Sequence, residues 1–128
     1  MITSDFTQEI TQLHADICSA LADPNRILIL YALYEQPCNV NHIAEELGIS
    51  QSAASRHLNL LRERGLVTSR RDGQSVVNAL TDPRVIEALD LLRSVLTSKL
   101  KNQAALAGTV ESAGAEAQHD TSISTETN

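Results

Sequence analysis

Two pairs of side chains that bind soft metals stand at the same spacing in this sequence. His14 and Cys18 are four residues apart, and so are Cys38 and His42. On a helix that spacing puts both members of a pair on one face, and two such pairs could supply the ligands for zinc, another soft metal or a metalloid. The thiols alone predict a redox-switchable pair. In a third interpretation neither cysteine is a sensor, and Cys18 is a small apolar core residue.

The arginines of the chain are concentrated in its middle. The net charge of −6 by itself disfavours a nucleic-acid partner, because phosphate contacts need Lys and Arg. Residues 50–84, however, hold six arginines against three acidic residues, whereas residues 1–49 hold one arginine against seven. A basic segment inside an acidic protein is typical of a DNA-binding face. The alternative is an ordinary solvated charged surface.

The composition limits the kind of core that can form. A chain of 128 residues has the size of one domain. With no Trp, one Phe and two Tyr, its core must be aliphatic, which favours helices. The sequence has no apolar run that would span a membrane and no secretory leader pattern at its N-terminus, so we expect a soluble, cytoplasmic protein. Two cysteines are too few for a disulfide framework.

Hydrophobic periodicity and capping residues predict five helices. Asp23, before Pro24, and Ser50 are the predicted N-caps, and Gly48 suits a left-handed C-cap. The first helix should stop near Ala22, because Pro24 disfavours helical geometry at the residue before it. The predicted helices span residues 6–22, 24–34, 40–47, 51–65 and 83–100.

Between the fourth and fifth helices the apolar period changes from helical to strand-like. Residues 66–71 and 75–80 are two short strand patterns, and the Asp72-Gly73 pair between them indicates a hairpin. A helix, a short turn with Gly, a capped second helix and a hairpin make a helix-turn-helix with a wing. The predicted fold class is therefore mainly α with a small β-hairpin, the winged helix-turn-helix.

The last helix carries an apolar stripe longer than a small domain can cover. Packing against the last and first helices of a second subunit is the simplest way to bury it, which predicts a homodimer. From about Gln103 the sequence loses large apolar residues, and we expect residues 107–128 to form a disordered tail. Residues 1–106 are then the DNA-binding and dimerisation domain.

Three stretches of this sequence resemble the ArsR/SmtB family of bacterial winged-helix repressors. They are the segment ALADPNR at 20–26, the run IAEELGISQSAASRHLNLLRERGLV at 43–67 and the wing RRDGQSVVNAL at 70–80. The resemblance covers roughly residues 8–100. It implies a homodimeric repressor that binds an inverted-repeat operator and leaves it on a chemical signal, with the first and last helices forming the dimer interface.

The DNA contacts are predicted from where side chains project. Residues near the N-terminus of a recognition helix that point away from the core can reach base edges, and Arg56 suits a bidentate guanine contact. Ser50 and Ser52 with the helix N-terminus suit phosphate. His57 fits either a DNA contact or a half-buried bond inside the domain. The predicted contacts are Ser50, Gln51, Ser52, Ser55, Arg56, His57, Arg70, Arg71 and Gln74.

The metal motifs of the resembled family are incomplete in this chain. In its third-helix motif, E-L-C-V-C-D-L, the cysteine positions are occupied here by Asn39 and Asn41, and Cys38 lies one residue earlier. The Asp/His ligands of the last helix are missing. No cofactor is required, and metal or metalloid binding at His14, Cys18, Cys38 and His42 stays a hypothesis beside thiol sensing.

Two other classes of protein compete with a DNA-binding regulator. An enzyme would have Cys38 and His42 as nucleophile and base, but the sequence offers no orienting third group or oxyanion hole. A winged-helix protein-interaction module would use the acidic N-terminal third against a basic partner. The arginine-rich segment favours DNA over both.

Overall fold

The structure is a computed structural model that describes residues 1–114, and the side chains among them up to residue 108. The chain divides into two compact units, Met1–Ile86 and Glu87–Asn128. The first unit holds the helices, the hairpin and the core, and the second is described as helix as far as Gly114. In the described part of the chain, no helix is long and apolar enough to cross a membrane.

The first helix, α1, spans Ser4–Leu13 and then changes its geometry. Residues His14–Cys18 form a π-helical turn, in which the Ser19 N–H donates to the His14 carbonyl at 3.0 Å. The predicted helix to Ala22 is therefore wrong at its end, because the chain leaves helical geometry after Cys18. Two arginine side chains, described below, bind carbonyls in and just after this turn, which local periodicity cannot reveal.

The next three helices have the caps predicted at Asp23, Gly48 and Ser50, and Asn39 adds an N-cap that was not predicted. These helices are α2 (Pro24–Glu35), α3 (Val40–Leu47) and α4 (Gln51–Glu63). The Asp23 carboxylate accepts from the Asn25 N–H at 2.8 Å, and the Asn39 side chain caps α3 by accepting from the His42 N–H at 2.9 Å. Each acceptor satisfies a backbone donor that the helix itself leaves unpaired.

The hairpin consists of β1 (Val67–Asp72) and β2 (Ser75–Leu80), paired antiparallel with Asp72 opposite Ser75. The turn is therefore Gly73-Gln74, one residue later than the Asp72-Gly73 pair suggests, with Gly73 at φ +65°. Cys38 pairs with Asn78 through both backbone groups, at 3.1 and 2.8 Å. This bridge adds a short third segment to the sheet that the sequence patterns do not indicate.

The core is aliphatic, as predicted. Its most buried large members come from α2, α3 and α4, with β1 and the start of the last helix closing it. The predicted winged helix-turn-helix, with four helices, a hairpin and a fifth helix, is confirmed. These buried residues are Ile29, Leu30, Leu33, Ile43, Leu58, Leu61, Val67 and Ile86.

The last helix, α5, spans Arg84–Gly114 and is longer than predicted. It continues into the segment 107–128 that the sequence predicts as a disordered tail, and residues 115–128 of that tail lie outside the described residues. Ala is the strongest helix former, and the Ala-rich sequence between Gln103 and Gly108 supports the continued helix.

Candidate nucleic-acid interface

The turn between α3 and α4 has the geometry of a helix-turn-helix. Gly48 ends α3 in the left-handed conformation at φ +68°, and the Ile49 N–H donates to the Ala44 carbonyl at 3.1 Å. Ser50 then caps α4, its hydroxyl accepting from the Ala53 N–H at 3.0 Å. The turn thus leaves the first backbone N–H groups of α4 at the start of an exposed helical face, where an anion can bind.

Helix α4 divides into a buried and an exposed side. Ala54, Leu58 and Leu61 are at most 2% exposed and anchor the helix in the core. The predicted base-reading residues all lie on its exposed side, at the N-terminal half. This is the arrangement that a recognition helix needs to present side chains to the major groove. These exposed residues are Gln51, Ser52, Ser55 and Arg56.

The wing presents its polar residues at and before the turn. Arg70, Arg71 and Gln74 are exposed, and Arg70 and Arg71 lie opposite Val77 and Val76. Because successive strand residues point to opposite faces, the two arginines project from different sides of the hairpin. The wing therefore offers a positive charge on each of its faces.

Two arginines of the chain bind the turn that follows α1. Arg64, at the end of α4, donates to the Ala15 carbonyl and the Ser19 hydroxyl. Arg26, in α2, donates to the Ala20 carbonyl at 2.7 Å. Both arginines donate to carbonyls where the helix ends, and the Ala15 carbonyl also accepts from the Ser19 hydroxyl. Arg64 lies within the arginine-rich segment 50–84, and no sequence signal distinguishes it from the other arginines there.

His57, a predicted contact, lies beside an arginine of another helix. It is half-buried, and its Nδ1 lies 3.5 Å from the Arg26 guanidinium. Arg26 is itself 3.9 Å from the Asp23 carboxylate. These neighbours favour the interpretation of His57 as a half-buried histidine bonded inside the domain over its interpretation as a DNA contact.

Two further arginines of the basic segment bond to nearby side chains. Arg84 binds the Asp82 carboxylate at 2.7 Å, and this hydrogen bond lowers the pKa of Asp82 from 3.8 to about 2. Arg62 donates to the Asn59 amide oxygen at 2.8 Å. Within residues 1–108, the side chains of Arg56, Arg70 and Arg71 have no hydrogen bond or ion pair. These three are the arginines most available to DNA.

The four candidate metal ligands do not form one cluster. In the part of the chain that the structure describes, no group of three or more His, Cys, Asp or Glu side chains could hold a metal ion. His14, Cys18, Cys38 and His42 therefore do not form such a group within a single chain, and metal binding at these residues stays a hypothesis. His42 instead has its Nε2 3.1 Å from the Glu46 carboxylate, one helical turn away.

The two thiols are free and have different surroundings. Cys18 is exposed in the π-helical turn, so its interpretation as an apolar core residue is wrong. Cys38 is half-buried beside β2. Burial raises the pKa of the Cys38 thiol, and the nearby Glu46 carboxylate raises it further. Because the thiolate is the nucleophile, these surroundings make Cys38 a poor catalytic group and Cys18 the more accessible thiol.

Comparison with known proteins agrees with this geometry. A model of the arsR family of bacterial regulatory proteins matches residues 23–69. The nodulation protein NolR of Rhizobium meliloti is 37% identical over 87 residues, covering 68% of this chain and 71% of NolR.

Two solved structures are also similar. The crystal structure of Rv0081 from M. tuberculosis has a TM-score of 0.67 and 33% identity, covering 73% of this chain and 95% of that one. The homodimeric winged helix-turn-helix DNA-binding domain of Mb0332 from Mycobacterium bovis has a TM-score of 0.68 and 27% identity, covering 79% and 93%.

The capped turn, the exposed side of α4 and the wing define a winged helix-turn-helix DNA-binding protein. With NolR 37% identical over most of its length, the chain belongs to the ArsR family of bacterial transcriptional regulators. Members of this family are regulatory proteins rather than enzymes. The resemblance given above on sequence motifs is confirmed.

Proposed function

We propose that this protein is a cytoplasmic transcriptional repressor that binds an inverted-repeat operator as a homodimer and is released by a chemical signal. The observation that carries this proposal is the exposed N-terminal half of α4, where Gln51, Ser52, Ser55 and Arg56 project beyond a buried aliphatic side. Membership of the ArsR family supports it.

Within this interface the side chains have separate roles. Arg56 reads a guanine edge, and Gln51 and Ser55 contact neighbouring bases in the major groove. Ser50 and Ser52, at the N-terminus of α4, hold a phosphate together with the first backbone N–H groups. The wing residues Arg70, Arg71 and Gln74 bind the backbone or enter the minor groove. Specificity then comes from α4, and the wing contributes affinity for DNA of any sequence.

The homodimer uses the apolar faces of α1 and α5. Phe6, Ile10 and Leu13 on α1 are each more than 40% exposed, and α5 exposes a row of aliphatic residues that includes Leu92 and Leu96. Apolar surface of this extent is typical of a protein interface. The related Mb0332 domain is a homodimer. A symmetric pair of recognition helices fits an operator with two half-sites.

The released state is triggered by a thiol-reactive species or by a soft metal or metalloid. Cys18 is exposed to such a reagent, and Cys38 lies where backbone bonds join β2 to the loop before α3. A chemical change at Cys38 would act on a segment that adjoins the wing. A metal would need ligands beyond these, from the partner subunit, because the described residues of one chain do not assemble a cluster.

The test begins with selection of binding sites from random duplexes by the reduced protein. We expect a two-half-site operator, bound with a steep salt dependence. Zinc, arsenite, an oxidant and a persulfide are then added separately, and one of them should release the operator from the parent protein but not from a Cys18→Ser, Cys38→Ser double variant.

Two results would contradict parts of this proposal. Release of both proteins by the same reagent would exclude thiol sensing. Failure to bind any duplex, even at low salt, would exclude the repressor and leave the protein-interaction module.

A further inference from the structure

A cavity of ≈ 380 Å³ lies beside the exposed side of α4. Three elements form its walls, namely the N-terminus of α3, the middle of α4 and the wing from its turn into β2. This volume lies within the range of small-molecule sites in proteins. The lining residues include Val40, Ser55, Arg62, Gln74, Val76 and Asn78.

One lining residue, Asn78, carries a polar atom that no protein group satisfies. Asn78 is only 3% exposed, and its side-chain Nδ2 donates to the Cys38 carbonyl at 3.3 Å. Its Oδ1 is buried without a hydrogen-bond partner. An unpaired buried acceptor destabilises a fold. A hydrogen-bond donor from outside the chain would therefore stabilise this oxygen.

The charges around this cavity have a single sign. Arg62 contributes a guanidinium that uses one nitrogen to bind Asn59, which leaves its other N–H groups available. The N-terminus of α3 adds the positive end of a helix, where Val40 and Asn41 have N–H groups with no acceptor inside the helix. The lining includes no acidic residue. A ligand with a negative charge is therefore favoured.

We propose that this cavity binds a small organic anion that also carries a hydrogen-bond donor, a hydroxy- or aminocarboxylate. Its carboxylate faces Arg62 and the Ser55 hydroxyl, and its carbon skeleton packs against Val40, Leu58 and Val76. Because Asn78 Oδ1 is buried, the donor of the ligand reaches this oxygen when the Asn78 side chain turns towards the cavity. A DNA phosphodiester carries the charge but has no donor, so it leaves Asn78 unsatisfied. The chemistry of the cavity favours a free metabolite over the DNA backbone.

Occupancy of this cavity would oppose DNA binding. Ser55 on α4 and Gln74 on the wing line the cavity and are also proposed DNA contacts. A bound ligand would engage both and place a negative charge between the two elements that approach phosphate. This consequence rests on the proposed function, whereas ligand binding itself does not.

The first experiment measures ligand binding without DNA. The full chain, labelled with ¹⁵N, is titrated with mandelate and with two analogues, phenylacetate, which lacks the hydroxyl, and mandelamide, which lacks the charge. We expect shifts of the side-chain amide signals of Asn78 and Gln74, and an affinity for mandelate about tenfold above that for either analogue, because each lacks one polar contact. No shift with mandelate, or equal affinity for all three compounds, would overturn the site.

Matched arginine variants locate the carboxylate. Arg62→Gln should weaken mandelate binding about tenfold, because it removes the charged partner of the carboxylate. Arg56→Gln removes the same charge from the same helix but at a position outside the cavity lining, and its mandelate affinity should equal that of the parent. Equal weakening in both variants would mean general attraction of an anion and would overturn the site.

The second experiment adds random duplex DNA at low salt. Mandelate should lower the affinity for the duplex in the parent but not in Arg62→Gln. If the protein binds mandelate as predicted but binds no duplex, the proposed function fails and the ligand site stands. If it binds both without competition, the ligand site stands and its effect on DNA binding is refuted.

Discussion

Helices α4 and α5 both expose a row of side chains, but the two rows differ in chemistry. The open side of α4 carries Gln, Ser and Arg, whereas that of α5 carries leucines and valines such as Leu92, Val95 and Leu96. The polar row can form hydrogen bonds with a partner, and the apolar row can be buried against one. The two rows therefore indicate different partners. Exposed hydrogen-bonding side chains suit base edges, and an apolar stripe suits a second apolar helix.

The largest effect should come from placing a charge in the row on α5. Leu96→Glu should weaken dimerisation by about 3 kcal/mol or more, because a carboxylate would be buried without a partner. Sedimentation or light scattering measures the change in mass, and operator affinity should fall with it. Ser94→Glu adds the same charge on the opposite side of the helix and should leave the dimer intact. A dimeric Leu96→Glu protein would move the interface elsewhere.

The next effect concerns the row on α4. Arg56→Ala should lower operator affinity by about 1–3 kcal/mol, the worth of a bidentate base contact. Affinity for random duplex should change much less. Thermal unfolding should be unaffected, since Arg56 has no hydrogen bond or ion pair within residues 1–108. Equal losses on operator and random DNA would reassign Arg56 to phosphate.

Arg64, eight residues further along the chain and just past the end of α4, should behave in the opposite way. Arg64→Ala should lower the free energy of unfolding by about 1–2 kcal/mol, because the Ala15 carbonyl and the Ser19 hydroxyl lose a charged donor. The salt dependence of DNA binding by the folded protein should stay as in the parent. A flatter salt dependence would mean that Arg64 contacts phosphate after all.

A smaller effect is expected at the wing. Arg70→Ala and Arg71→Ala should each reduce the slope of log affinity against log salt by about 0.9, the value for one lost phosphate contact. The loss should be similar on operator and random duplex, unlike that of Arg56→Ala. If neither variant changes the slope, the wing does not contact the DNA backbone.

The smallest effect distinguishes the two thiols. Near neutral pH, iodoacetamide should alkylate Cys18 before Cys38, because a raised pKa leaves less Cys38 thiolate. The Cys38 rate should keep increasing as the pH is raised towards that pKa. Glu46→Gln should accelerate it modestly by removing the minor cause of the shift. Mass spectrometry of timed samples measures both rates, and faster labelling of Cys38 would contradict the burial argument.

The sequence predicts those parts of the fold that depend on local signals. The bounds of α3 are correct because Asn39 and Gly48 supply both caps within the segment. The exposed residues of α4 are correct because helical period alone determines which side is buried. The end of α1 and the role of Arg64 are not predicted, because they depend on bonds between residues far apart in the chain. The cavity at Asn78 is not predicted either, because its walls come from three elements that are separate in the sequence.

The π-helical turn after α1 gives this chain a place where its length can change. A π turn holds one residue more than an α turn, so a deletion within His14–Cys18 could restore α geometry and preserve the rotational phase of the helix. The same deletion earlier in α1 would rotate the Phe6 and Ile10 side chains by about 100° relative to the residues that follow. Homologues one residue shorter here could keep the same apolar face with an uninterrupted α-helix.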